Sequence, residues 1–334
     1  MTSDRPGDAS FDSRHVSTGR LPPPESVEAL VAEAHARFRT NRDGRNSDVY
    51  PALAEAPQDL FGLCVVGVDG AVHASGDWDR PFSIMSVSKP FVFALVCQVL
   101  GADVARQRLG VNATGLPFNA LAAVEHSEDG RTNPMVNPGA IAATSLVPGS
   151  TPDEKWTFIR ERLSRFAGRE LSMNDEVFAS AAQSNFRNQA IGRLLQSYGL
   201  LAGEPVDAVD LYTRQCSLNV TARDLAVMGA TLADGGVNPL TKKRVVDEES
   251  CVRTLAVMAT AGLYETSGDW LYEVGLPGKS GISGGIVTVS PGKGGFGAFA
   301  PRLDDAGNSV KGRLAARFLS ERLGLSLFAS KAEA

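Results

Sequence analysis

Ser86 and Lys89 stand three residues apart in Ser86-Val87-Ser88-Lys89, at the head of a strongly apolar run from Pro90 to Val96. A serine hydroxyl is a weak nucleophile until a base takes its proton, and residues three apart on a helix share a face, so this lysine is placed to be that base. Lysine accepts a proton only where its ammonium form is disfavoured. Desolvation in an apolar helix and the positive end of the helix dipole both act in that direction. By spacing alone such a pair is common, and a lysine near a helix start is ordinarily solvated. Here the apolar surroundings make an unneeded charge costly, which favours a working role.

A second element of the same kind, Lys279-Ser280-Gly281, opens a late strand-rich region and is similar to the Lys-Thr-Gly that accompanies Ser-x-x-Lys in β-lactamases and penicillin-binding proteins. Gly278-Lys279-Ser280 is not a phosphate-binding loop, because that motif needs a glycine five residues before Gly278 and the chain has Glu273 there. The glycines from Gly292 to Gly297 lie between two strand patterns, so they read as a hairpin turn rather than a dinucleotide fingerprint. The four histidines, His15, His35, His73 and His126, are scattered and support neither a Ser-His-Asp triad nor a histidine metal site. Lysine or tyrosine is left as the base.

These residues need a scaffold, and the pattern around them is α+β. Residues 1 to about 25 are rich in Ser, Asp, Gly and Pro and read as a flexible tail. Apolar residues at helical spacing (Val27, Leu30, Val31, Ala34, Phe38) predict a first helix over residues 25–39. Phe61 to Ala74 alternates around Asp69-Gly70, a strong hairpin signal. The run after Ser86 predicts a buried helix, and residues 100–265 are mostly helical in pattern, with helices over 153–166, 185–198, 221–233 and 248–259. Strands return from Leu276 to Ala300, including a continuous strand through Gly281-Ile282-Ser283-Gly284 into Val289, and a last helix covers about 309–323. A sheet is thus expected from about 59–85 and 275–325, flanked by helices, with a helical region over about 86–265 and a cleft between.

Composition narrows the function further. The 334 residues carry 33 Lys+Arg against 38 Asp+Glu, a net charge of −5, with no basic run. That excludes an electrostatic invitation to nucleic acid or an anionic membrane and suits a neutral or zwitterionic small molecule. No apolar stretch reaches bilayer length and the N-terminus has no signal-like apolar segment, so a cytoplasmic location is expected. Cys64, Cys97, Cys216 and Cys251, lacking any paired spacing, are expected as buried reduced thiols.

Several longer segments then carry a resemblance: Asp59-Leu60-Phe61-Gly62, Gly115 to Asn119, Asn133 to Ile141, Arg187-Asn188, Gly275 to Gly281 and Gly307 to Gly312. Over residues 26–328, taken as one catalytic domain, the chain resembles the serine-dependent glutaminases, on a β-lactamase/transpeptidase-like scaffold of antiparallel sheet flanked by helices plus a helical subdomain. The resemblance implies hydrolysis of L-glutamine to L-glutamate and ammonia through an acyl-enzyme, without metal or organic cofactor, in a homodimer or homotetramer. It implies Ser86 as nucleophile, Lys89 as proton carrier, Tyr212 and Tyr264 beside them, Asn137 and Asn188 on the amino-acid end, and backbone N–H groups of Ser86 and Ile282 as the oxyanion hole. Taken without it, Asn137 and Asn188 read as turn or cap residues and the tyrosines as core.

Three positions depart from the family pattern, all on the recognition side. Ala181 stands where the family has a glutamate for the α-ammonium group, Met85 where a glutamine precedes the nucleophile, and Val49 where a tyrosine is expected, with Tyr50 one place later. Two alternatives to plain glutaminase therefore stay open: an amidase or acyltransferase for a modified glutamine analogue, and a catalytically silent binding protein.

Overall fold

The structure is a computed structural model and describes residues 19–329. Most of the expected flexible tail lies outside the described residues. Its last part does not behave as expected, because the first helix already starts at Pro24 and runs to Phe38. A proline in the first turn lacks only an N–H that a helix leaves unpaired there anyway, so the proline run leads into the helix rather than delaying it.

Among the described residues seven strands form, β1 (Gly62–Gly67), β2 (Val72–Gly76), β3 (Phe82–Ser83), β4 (Asn219–Val220), β5 (Gly278–Ser280), β6 (Gly285–Ser290) and β7 (Gly294–Phe299). β1 and β2 make the hairpin expected at Asp69-Gly70. The main sheet is antiparallel with order β2-β1-β7-β6-β5, so β1 from the front of the chain pairs directly with β7 from its end, Val65 opposite Phe296. Side chains alternate between its two faces, as the pleat requires. Leu63, Val65, Ile286, Phe296 and Ala298 pack under the helices Pro24–Phe38 and Val310–Arg322, while Cys64, Val66, Val287, Val289 and Phe299 join the larger core shared with the helical region.

Two expectations about strands are corrected. Residues 82–83 are not part of the main sheet; β3 pairs with β4 in a separate two-stranded ladder, and Phe82 reaches the main sheet only through its ring, stacked 4.1 Å from Phe299. Gly281 to Gly284 is not strand either. It is a tight turn joining β5 to β6, with Gly284 at φ +101° and the Gly281 N–H bonded to Gly285 O at 2.9 Å. A residue with a side chain is strained at that φ, which is why glycine stands there.

The helix expected after Ser86 is present in two parts, a 3₁₀ turn Met85–Val87 followed by an α-helix Ser88–Leu100. Every residue from Ser88 to Cys97 is buried, so this helix is the axis of the helical region. The other expected helices appear as Pro152–Ala167, Phe186–Ser197, Ala222–Ala233, Glu248–Ala261 and Val310–Arg322. Of these, Phe186–Ser197 borders the cleft through Arg187 and Asn188, and Ala222–Ala233 lies across the main sheet, its start held by a reciprocal Thr221–Asp224 capping box. No helix among the described residues is long and apolar enough to cross a membrane.

Candidate active site

Ser86 sits in the 3₁₀ turn, not in the α-helix, and is 6% exposed. The turn is clamped from several directions. Ile84 N–H donates to Leu218 O at 2.8 Å, Ser88 Oγ donates back to Met85 O at 2.8 Å, and Gln215 Nε2 donates to Ser88 Oγ at 2.8 Å. Met85 is held at φ +47°, a conformation that costs a non-glycine residue on the order of 1–2 kcal/mol. Such strain persists only where surrounding structure over-determines it, and it aims the next residue, Ser86, into a cleft.

Lys89 is 1% exposed. Its Nζ donates to Asn137 Oδ1 at 2.7 Å and lies 5.8 and 5.9 Å from the ring centroids of Tyr212 and Phe118. No carboxylate offsets the burial, and desolvation brings its pKa from 10.5 down to about 7. That shift corresponds to about 5 kcal/mol against the ammonium form. Two cation–π contacts, worth about 0.5–2 kcal/mol each, do not reverse it. The cause is burial more than the helix dipole. A neutral Lys89 keeps its bond to Asn137 and still has a lone pair for a proton.

Asn137 is oriented by its neighbours. It opens the helix Asn137–Ser145 ahead of Pro138, and its N–H donates to Phe118 O at 2.7 Å. Its Oδ1 accepts from Lys89 and from the Tyr212 hydroxyl at 3.1 Å, and its Nδ2 donates to Asn188 Oδ1 at 2.8 Å. Tyr212 comes from the helix Pro205–Cys216, and burial holds its hydroxyl well above the usual phenol range. Both asparagines are buried and networked, and neither side chain caps its helix.

Tyr264 enters from the opposite side in a second 3₁₀ turn, Tyr264–Thr266, and it too has a left-handed backbone, φ +59°. Its hydroxyl donates to Ser280 O at 3.1 Å, and burial pushes its pKa up to about 12. Beneath its ring, Lys279 Nζ lies 4.0 Å from the centroid and donates to Gly262 O at 2.8 Å and Ser280 O at 3.0 Å. Lys279 is fully buried and its pKa is held well below the usual lysine range by desolvation first and then by Lys89. Ser280 Oγ donates to Asn308 Oδ1 at 2.5 Å, and Asn308 Nδ2 donates to Thr266 Oγ1 at 3.0 Å, tying β5 to the turn that carries Tyr264.

The turn after β5 brings Ile282 to the cleft opposite Ser86. Gly281 permits this approach: a Cβ there would meet Ile84 O at 3.1 Å, Val87 Cγ2 at 3.2 Å and Met85 Cβ at 3.3 Å. The N–H groups of Ser86 and Ile282 donate to no protein acceptor among the described residues, as an oxyanion hole requires.

A cavity of ≈ 70 Å³ opens onto Ser86, Asn137, Tyr212 and Ile282, room for about five waters or one small substrate. Tyr50, Met85, Ala181 and Asn188 also line it, whereas Lys89 stands behind Asn137 and Tyr264 behind Phe118. Tyr50 lines it from one place along the chain, and burial raises its phenol pKa. The sequence reading passed over Phe118, Arg187 and Cys216. Phe118 packs 4.8 Å from Tyr264, and Cys216 lies in the cleft wall with its thiol pKa raised by burial. Phe118 and Arg187 stood inside the quoted segments, whereas Cys216 had no signal beyond an apolar helix face. Among the described residues, no cluster of three or more His, Cys, Asp or Glu side chains has metal-binding geometry.

Known proteins are similar to this chain over nearly its whole length. The glutaminase family model matches residues 44–328. "Glutaminase 2" of Yersinia pestis is 67% identical over 317 residues, covering 95% of this chain and 93% of that protein. A glutaminase of Brucella canis is 48% identical over 307 residues, covering 92% and 97%. Among solved structures, one titled "Probable glutaminase ybaS" superimposes with a TM-score of 0.90 at 41% identity, covering 92% of this chain and 99% of that one.

Proposed function

Because the chain belongs to the glutaminase family and is an amidohydrolase that acts on glutamine, we propose that Ser86 and Lys89 carry out the hydrolysis of L-glutamine to L-glutamate and ammonia through an acyl-enzyme. Family membership also answers, in favour of an enzyme, the question of a silent binding protein. The observation that carries the mechanism is the buried Lys89, brought down to about 7 beside Ser86 without a carboxylate partner. In the first half-reaction, neutral Lys89 takes the Ser86 proton as Oγ attacks the side-chain carbonyl, and the developing oxyanion is met by the N–H groups of Ser86 and Ile282. The proton passes to the amide nitrogen, directly or through the Tyr264 hydroxyl, the C–N bond breaks, and ammonia leaves. Water, deprotonated by the same base, then cleaves the ester and regenerates the serine. Asn137, itself held by Tyr212, orients Lys89 at the buried end, and Asn188 and Tyr50 face the amino-acid end.

Residues 26–328 act as one catalytic domain in this reading, supported by a main sheet built from both ends of the chain. Four buried free thiols support a reducing, cytoplasmic location. Exposed Phe186 and Val206 support a homo-oligomer, which light scattering would measure. The test of the mechanism is an acid quench during turnover of a glutamine γ-ester, followed by mass spectrometry. A glutamyl adduct on the peptide containing Ser86 is expected; an adduct elsewhere, or none under burst conditions, overturns the assignment.

A further inference from the structure

A glutamine seated with its side-chain amide at Ser86 directs its α-carbon to the outer end of the cleft, because Ser86, Asn137 and Tyr212 are buried while Val49, Ser184 and Arg187 are exposed. An α-ammonium there calls for acceptors, and in a partly enclosed site for a carboxylate. No Asp or Glu lines the cleft, and the one charged side chain that does is a cation, Arg187. Its Nε donates to Asn119 O at 2.7 Å, and it joins none of the ion pairs among the described residues. Asp48 precedes Val49 but is exposed and does not line the cleft.

The neutral groups at this end are weighted the same way. Ser184 Oγ donates to Ser180 O, and Thr213 Oγ1 is occupied by Val209 O and Asn185 Nδ2. Asn188 has its oxygen committed to Asn137, which leaves its Nδ2 as a donor. The acceptors left at this end are neutral, the Ser184 hydroxyl and the Asn119 and Asn185 amide oxygens among them, while the one ionic group is a donor. The wall is also short, with Ala181 contributing a methyl group and Val49 standing 44% exposed at the rim.

Granting the amidohydrolase reading on which this rests, we infer that the outer half of the cleft is a subsite for a carboxylate beside a neutral α-substituent, with Arg187 and the Asn188 amide taking the carboxylate. The α-ammonium of L-glutamine gains no ionic partner there. Primary γ-amides whose α-nitrogen is acylated, or replaced by a carbonyl, are accordingly substrates as good as L-glutamine or better. The bonds made and broken are unchanged, water adding across the γ C–N bond and ammonia leaving.

The test compares ammonia release from L-glutamine, N-acetyl-L-glutamine and the α-keto analogue of glutamine on the same enzyme preparation. The expected kcat/KM for at least one of the two analogues is within about tenfold of that for L-glutamine, or above it. A preference for L-glutamine above about a hundredfold over both overturns the subsite and leaves the hydrolase standing. Absence of ammonia from all three overturns the hydrolase reading and the subsite with it. Ala181→Glu, which puts a carboxylate into the wall, is expected to shift the ratio toward L-glutamine by about tenfold. An unmoved ratio in a folded Ala181→Glu protein also overturns the subsite; if that variant does not fold, the wild-type ratio decides alone.

Discussion

The floor of the cleft and its mouth are built on opposite terms. On the floor, Lys89, Asn137, Tyr212, Tyr264, Lys279 and Ser280 are all buried and hydrogen-bonded, and of the three non-glycine residues with left-handed backbone among the described residues, two, Met85 and Tyr264, belong to the turns that form it. At the mouth, Val49, Ser184 and Arg187 are exposed and make few bonds. A reacting centre needs fixed geometry and a depressed lysine, which only burial supplies. Recognition of the rest of the substrate is left to side chains that change without disturbing the core. Substitutions on the floor should therefore act on kcat, and those at the mouth on KM and substrate choice.

Ser86→Ala tests this most severely: ammonia release should fall by about 10⁴-fold or more with the thermal melt unchanged, read by a coupled ammonia assay and calorimetry. Lys89→Met should lower kcat by about 10²–10⁴-fold while stabilising the fold, since it removes a buried amine without leaving a charged partner behind. A loss of stability there would mean that Lys89 is a structural cation. Tyr264→Phe should cost about 10–100-fold in kcat with little change in KM. In the wild type, kcat/KM should rise about tenfold per pH unit up to an apparent pKa near 7, as Lys89 loses its proton. Its stability follows a separate rule. Between about pH 7 and 10.5 the unfolded chain holds the Lys89 proton that the folded chain has released, so this group's contribution rises with pH over that window. The gain from Lys89→Met should consequently be largest below pH 7 in denaturant titrations. Smallest of all, Arg187→Gln should raise KM about three- to tenfold and leave kcat within about twofold, confining the effect to the mouth.

The same division governs what the sequence made legible. The β1–β2 hairpin and the buried helix after Ser86 were readable because Asp69-Gly70 and the run of eight apolar or small residues from Pro90 to Cys97 are local signals. The β3–β4 ladder was not, since strands of two residues carry no periodicity and their partners lie far apart in the chain. Gly281 to Gly284 was misread as strand because Ile282 and the residues after it look β-rich, while the turn is set by Gly284 and its pairing with Ala300. The helix Ser267–Val274 went unread for a similar reason, its start being fixed by the Tyr264 turn and not by a capping residue. In the site, Ser86 and Lys89 stood out by their spacing together with the apolar run that follows them. Cys216 did not, because one residue on an apolar helix face says nothing of the cavity it borders.

The pairing of β1 with β7 has a consequence for how the enzyme comes into being. A nascent chain ending near Ala261 already contains Ser86, Lys89, both cleft asparagines and Tyr212. It lacks Tyr264, the Lys279 strand, the Ile282 amide and the strand that covers β1. Until those emerge, one edge of β1 stays open to any passing strand, and closing it waits on a contact between distant parts of the chain, which is slow. Catalytic competence is then the last property the chain acquires during synthesis, switched on when the segments made last pair with those made first.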